Sequence, residues 1–106
     1  MGIFRRSSRA VPVEPEEAFQ PIGSIVPRTR VRVRGKVQRV RNRPAQGLPG
    51  LIVTIQDDSG RLSAVWSGRE SLGGLTLGRQ VILEGVCFRT DDGLTLVNPV
   101  YWLVKK

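Results

Sequence analysis

From Arg30 to Val37 the chain reads Arg-Val-Arg-Val-Arg-Gly-Lys-Val, a cation alternating with an apolar residue. That period of two belongs to a β-strand with one buried face, because successive strand side chains point to opposite sides. Val31, Val33 and Val37 are therefore expected in a core, with Arg30, Arg32, Arg34 and Lys36 in a row on the other side. The row continues: Arg28 to Arg43 holds eight basic residues in sixteen positions, and no acidic residue occurs from Ala18 through Gln56. Guanidinium groups aligned without a carboxylate in the neighbouring sequence favour a polyanion, with nucleic acid as the first candidate.

The charge balance of the whole chain agrees. Its net charge is +8, its sequence pI is about 11.3, and arginine outnumbers lysine fourteen to three. Arginine suits bidentate phosphate contacts and stacking on bases, although a base-composition bias in the coding sequence would also enrich it. A chain of 106 residues is one domain at most.

Several chemistries find little footing. With no histidine there is no imidazole base, and the single Cys87 lies in an apolar stretch with no evident activator. One cysteine excludes an intrachain disulfide, which fits a reducing compartment. The Cys/His ligands of a zinc site are missing, and no cofactor is expected. The pairs Asp57-Asp58 and Asp91-Asp92 stand beside Ser59-Gly60 and Gly93, where turn chemistry accounts for them. No apolar run approaches membrane-spanning length, and the N-terminus lacks the apolar stretch of a signal peptide. Met1-Gly2 opens like a myristoylation signal, but Arg6 stands where Ser or Thr is wanted. A cytoplasmic protein is the expectation.

Residues 1–24 read as a tail, basic at Arg5, Arg6 and Arg9 and then proline-rich and acidic through Glu17. Phe19, Ile22 and Ile25 are the residues that would pin its end to a domain spanning 25–106. Within that domain five strands are predicted. The first runs from Thr29 to Asn42 and bends at Gly35. The second (Leu51 to Gln56) and third (Arg61 to Ser67) form a hairpin about Asp57-Asp-Ser-Gly60. Ser67-Gly-Arg-Glu70 has capping-box spacing, and Gly73-Gly74 would end a helix there, so a short helical link is expected before the fourth strand (Gln80 to Arg89, with a bend at Gly85). Asp91-Asp-Gly93 turns into a fifth strand, Leu94 to Val104, whose ladder Pro99 should interrupt at an edge or a bulge. An all-β, five-stranded Greek-key barrel with a long first strand that serves both halves is the OB-fold arrangement.

Five stretches carry a resemblance to a known family: Val31-Arg-Val-Arg-Gly-Lys-Val37, Asp58-Ser-Gly-Arg-Leu62, Val65-Trp-Ser-Gly-Arg69, Gly78-Arg-Gln-Val-Ile-Leu-Glu-Gly85 and Asn98-Pro-Val-Tyr101. Together they cover about residues 25–104. The chain resembles small stand-alone OB-fold nucleic-acid-binding proteins of the actinobacterial type and, more distantly, the wedge domain of the RecG helicase and OB domains of the tRNA-anticodon type. The resemblance implies a site on the outer face of strands one to three, flanked by the loops after strands one and four. That face would offer Arg32, Arg34, Lys36, Arg39 and Arg41 with Thr54 and Ser63, and the first loop adds Arg43 and Gln46. Asp91 and Asp92, in the second loop, would repel phosphate.

Exposed aromatic rings on which bases could stack are scarce. Trp66 alternates in phase with Leu62 and Ala64, which points inward. Tyr101 and Trp102 are neighbours on one strand, so one should face out, and Trp102 is the first candidate for base stacking, with Trp66 the second. Phosphate contact with weak sequence preference therefore fits better than base readout. The leading expectation is a non-enzymatic module for single-stranded DNA or RNA. The alternative is an OB domain that holds a protein partner, or whose basic tail touches an anionic membrane. A bland reading of the arginine row, a charged strand face that keeps an edge from aggregating, leaves the mutual repulsion of the row uncompensated.

Overall fold

The structure, a computed structural model, describes residues 19–105. The tail expected over 1–24 lies mostly outside the described residues. Six strands follow in order: β1 Arg30–Asn42, β2 Gly50–Gln56, β3 Arg61–Ser67, β4 Gln80–Thr90, β5 Gly93–Val97 and β6 Val100–Leu103. Their sheet order is β1-β2-β3-β5-β4-β6, and an added β1–β4 pairing closes the first five into a ring. This is an all-β OB-type barrel. Its one parallel contact is β3 with β5.

The long first strand closes the ring by changing partner. Arg30 to Lys36 pair with β4, and Lys36 to Asn42 pair with β2. Gly35 sits at the changeover, where an added Cβ would lie 3.0 Å from the Gln56 carbonyl oxygen. The bend expected at Gly35 is there, and a register shift follows it between Val37 and Arg39. That bulge leaves Gln38 as the extra residue and re-aims the side chains beyond it.

Five predicted strands become six because the last one breaks at Asn98-Pro99. Leu96 faces Cys87 and Val100 faces Glu84, so β5–β6 advances four residues while β4 advances three. Pro99 has no N–H to donate. Asn98 takes a left-handed conformation (φ 49), and its N–H turns to the Val65 carbonyl on β3 at 2.7 Å. The interruption expected at the proline is thus a bulge that separates the β5 half, shared with β3, from the β6 half.

The helical link expected between the third and fourth strands does not form; residues 68–79 hold turns. Ser67, the expected cap, remains in β3 with its N–H bonded to Asn98 Oδ1 at 3.0 Å. The Glu70 carbonyl accepts from Asn42 Nδ2 at 2.7 Å. Gly73-Gly74 disfavours helix, and Leu75 instead enters the core.

Val31, Val33 and Val37 are buried as expected, and Leu51, Val53, Ile55, Leu62, Val81 and Leu83 join them inside the barrel. A short 3-10 turn at Ile22–Ser24 precedes β1 and inserts Ile22, which is fully buried. Asp57 holds that turn from the β2–β3 hairpin: Oδ2 accepts from the Ile22 N–H at 2.9 Å, and Oδ1 accepts from Ser59 and Gly60. Of the pinning residues, Ile22 and Ile25 belong to the core.

Candidate nucleic-acid interface

Because β1 changes partner, its arginines are divided between two outer faces. Before the bulge, Arg30, Arg32 and Arg34 stand opposite Val86, Glu84 and Ile82 of β4, and β6 continues the face with Val100 and Trp102. A carboxylate that is remote in sequence thus lies within the row. Glu84 Oε2 is 3.2 Å from Arg30 Nε, and Oε1 is 3.8 Å from Arg32 Nε. The Arg32 guanidinium also sits 5.6 Å from the Phe19 ring centroid and 5.3 Å from that of Trp102, in cation–π range. Gln20 fastens the incoming segment to Arg32 through its backbone N–H and side-chain carbonyl. The expectation of a row without a nearby carboxylate therefore fails on this face, because Glu84 arrives by tertiary pairing.

Trp102 does face outward, opposite Ile82. It is only half-buried, but Arg32 occupies its ring face, and it lies away from β2 and β3. Trp66 is 6 % exposed and turned inward, its Nε1 donating to the Pro99 carbonyl at 3.0 Å. Tyr101 packs edge-on against it, with centroids 6.0 Å apart and an interplanar angle of 76°. Of the two tryptophans named for base stacking, then, Trp66 is a core residue and Trp102 holds an arginine.

Beyond the bulge the face is different. Arg39 stands opposite Thr54 and Arg41 opposite Ile52. Thr54 pairs with Ser63, and Ser63 with Thr95, so a ladder of hydroxyls crosses from β2 to β5. The Thr54 and Ser63 hydroxyl oxygens are 3.5 Å apart. A groove of about 580 Å³ lies over this ladder, bounded by Arg39, Arg41 and Arg61 and, opposite, by Asp92 and Gly93 of the β4–β5 turn. The concavity explains why Ser63, although on the outer face, is only 7 % exposed. Among the described residues the side chains of Arg39, Arg41 and Arg61 form no ion pair or hydrogen bond. Lys36 stands at the seam, pairing with both Gln56 and Gln80. It lines a second cleft with Arg34 and Asp57.

The loops on either side of the groove are tied together. Arg43 donates from Nη1 and Nη2 to the two carboxylate oxygens of Asp92, each at 2.8 Å. That hydrogen bond holds the Asp92 carboxyl below its ordinary range and pushes Arg43 up. Asp92 was expected to repel phosphate; here its charge is matched by Arg43. Gln46 is exposed at the tip of the first loop with φ 54, next to the Ala45–Leu48 bridge.

Of the site residues named from sequence, the structure brings Arg39, Arg41, Thr54 and Ser63 to one groove with Arg43 beside it. Arg32 and Arg34 stand on the other face. Arg61 was missed. Its signal was the length of the Asp57–Gly60 turn, which sets Arg61 opposite Gln56 and so on the outer face.

The chemistry elsewhere is quiet. Cys87 is fully buried in the core, and burial pushes its thiol up. Among the described residues no group of three or more His, Cys, Asp or Glu could hold a metal. No helix among them is long and apolar enough to cross a membrane.

No curated protein matches the chain. A family model does, over residues 31–104, from the start of the alternating strand to the end of the barrel, and so the chain belongs to the tRNA anti-codon family of OB-fold nucleic acid binding domains.

Proposed function

We propose that this protein is a non-catalytic module that binds single-stranded DNA or RNA in the groove over β2 and β3, chiefly through phosphates and with weak sequence preference. The observation that carries this reading is the set of arginines without ion-pair partners, Arg39, Arg41 and Arg61, around a floor of hydroxyls. Arginine forks take phosphate oxygens, and Thr54 and Ser63 can donate to phosphate or sugar. A concave slot between two loops suits a flexible strand better than a duplex. With no open aromatic ring among the described residues lining the groove, base stacking contributes little and phosphate contact dominates. A buried Cys87 and the absence of histidine favour binding over catalysis.

The experiment is direct binding of the full chain to matched single- and double-stranded oligonucleotides across a salt series. If Lys36, Arg39, Arg41 and Arg61 neutralise four phosphates of a single strand, log affinity falls with log salt at a slope of about −2.8. Binding that is insensitive to salt, or stronger for duplex, counts against this reading.

A second reading has one observation in its favour. Phe88, Val97 and Val100 on β4, β5 and β6 are 41 %, 47 % and 52 % exposed, and exposed apolar side chains of this kind suit a protein partner. Failure to bind any nucleic acid, with the fold intact, would transfer support to it.

A further inference from the structure

The contact between Arg43 and Asp92 joins the end of β1 to the β4–β5 turn, 49 residues apart in sequence. It is a fork: each terminal nitrogen meets a different carboxylate oxygen at 2.8 Å. A phosphate diester presents the same edge of two oxygens with the same charge, and a guanidinium binds the two alike. The Asp92 backbone is held independently of that contact. Its N–H donates to Thr90 Oγ1 at 3.1 Å, and that hydroxyl meets Thr95 Oγ1 at 2.8 Å. Both side chains of the pair remain partly exposed, at 49 % and 25 %, so water and salt reach it and the contact is easily exchanged. Asp92 is the only acidic residue among the described residues lining the groove.

We propose that the Arg43 fork is a phosphate subsite, held in the free protein by Asp92 in place of the ligand, and that nucleic acid enters by exchanging one backbone phosphate for that carboxylate. The proposal rests on the reading of the groove as a nucleic-acid site and adds a selection rule to it. A lone anion must displace Asp92 with no other contact to help it. A strand already held at Arg39 and Arg41 presents its next phosphate at high effective concentration. Asp92 therefore sets a threshold that polymers cross and mononucleotides do not.

The test uses the full chain and a labelled oligothymidylate of about fifteen nucleotides, within the span one OB domain can occupy, with anisotropy read across a salt series. Asp92→Asn is expected to tighten binding about two- to fivefold, the scale of an exposed pair. The salt slope should change by much less than about 0.7, one phosphate's worth on a single strand, because Arg43 takes the same phosphate in both proteins. Asp91→Asn removes an equal charge from the same turn and is expected not to tighten binding. In an Arg43→Gln background the gain from Asp92→Asn should disappear, which is the coupling a double-mutant cycle measures. Arg43→Lys keeps the charge without the fork and should lose most of the gain. Equal gains from the Asp91 and Asp92 variants, whatever stands at position 43, would show a general field effect and overturn the exchange. Salt-dependent binding that Asp92→Asn leaves unchanged overturns the exchange and leaves the groove reading standing. A wild-type chain that binds no strand overturns both.

Discussion

On β1 the arginines before Gln38 and those after it carry the same charge on the same strand, yet their surroundings differ. Arg30 and Arg32 meet Glu84 from β4, and Arg32 is held between Phe19 and Trp102. Arg39 and Arg41, past the bulge, face Thr54 and Ile52, and their side chains form no ion pair among the described residues, although the charge of Arg41 helps to hold the Asp92 carboxyl low. One face uses Arg30 and Arg32 internally, and Arg32 there fastens the segment before β1 and the last strand to the barrel, while Arg34 forms no ion pair among the described residues. The other leaves them open around a groove. Charge density in a sequence is therefore a weak guide to a binding site until the cross-strand partners are known, because one glutamate placed by register changes what a row of arginines offers.

The strongest test of this difference is to remove the open cations together. Arg39→Gln, Arg41→Gln and Arg61→Gln combined should flatten the single-strand salt slope by about 2 and cost about fiftyfold in affinity near 0.15 M salt, three phosphates' worth of counterion release. Thermal unfolding should be nearly unchanged, because among the described residues these side chains have no hydrogen bond or ion pair to lose and the exposed attraction of Arg41 to Asp92 is weak. An equal loss from neutralising Arg30 and Arg34 instead would erase the distinction between the faces.

A smaller effect is expected where the N-terminal segment is anchored. Asp57→Ala leaves the Ile22, Ser59 and Gly60 N–H groups without their acceptor and should lower unfolding free energy by about 1–2 kcal/mol, with affinity for a strand within about twofold of wild type. Burial alone would push the Asp57 carboxyl up, but the hydrogen bonds it accepts from Ile22, Ser59 and Gly60 outweigh this and hold it below its ordinary value. The sign follows: its contribution is fully present above the unfolded carboxylate range near about 3.9 and is lost as pH falls through the lower folded value. Acid denaturation curves of wild type and variant should converge at low pH. A constant offset between them would show that the anchor does not depend on the charge.

Arg32→Gln separates the two roles further. Losing the contacts with both rings should cost about 0.5–1 kcal/mol of stability by thermal melt, while binding changes by less than about twofold. A tenfold loss of binding would place Arg32 in the interface after all. The smallest effect is expected at Arg30, whose side chain is 63 % exposed. Arg30→Gln should move stability by less than about 0.5 kcal/mol and leave the salt slope alone.

Much of the barrel could be read from period and turn chemistry. Valine alternation located the inner face of β1, Asp57–Gly60 located the β2–β3 hairpin, and Gly35, Gly85 and Pro99 marked the places where strands change partner. The link after β3 was misread because Ser67 and Glu70 have the spacing of a cap. That local signal lost to the pull of Leu75 into the core and to the hydrogen bonds of Ser67 and Glu70 with Asn98 and Asn42. In the candidate site, Thr54 and Ser63 followed from strand phase. Arg39 and Arg41 came only from the resemblance, since unbroken alternation from Arg30 would turn them inward and the extra residue at Gln38 turns them out. Arg61 needed the hairpin register as well.

The sequence by itself determined that an alternating basic strand would bury its valines and turn its arginines outward, because side-chain direction along a strand is a local property of the backbone. It also determined that the chain would be all-β, because glycine, proline and aspartate turn signals punctuate short runs of β-branched residues. Only the tertiary structure decided which arginines stay open. Glu84 reaches Arg30 across 54 residues, and Asp92 reaches Arg43 across 49. Such meetings are fixed by ring closure and by one extra residue at Gln38. A one-residue slip in a strand reverses which face every following side chain occupies, so the partners of a charge cannot be found until the strands have been paired.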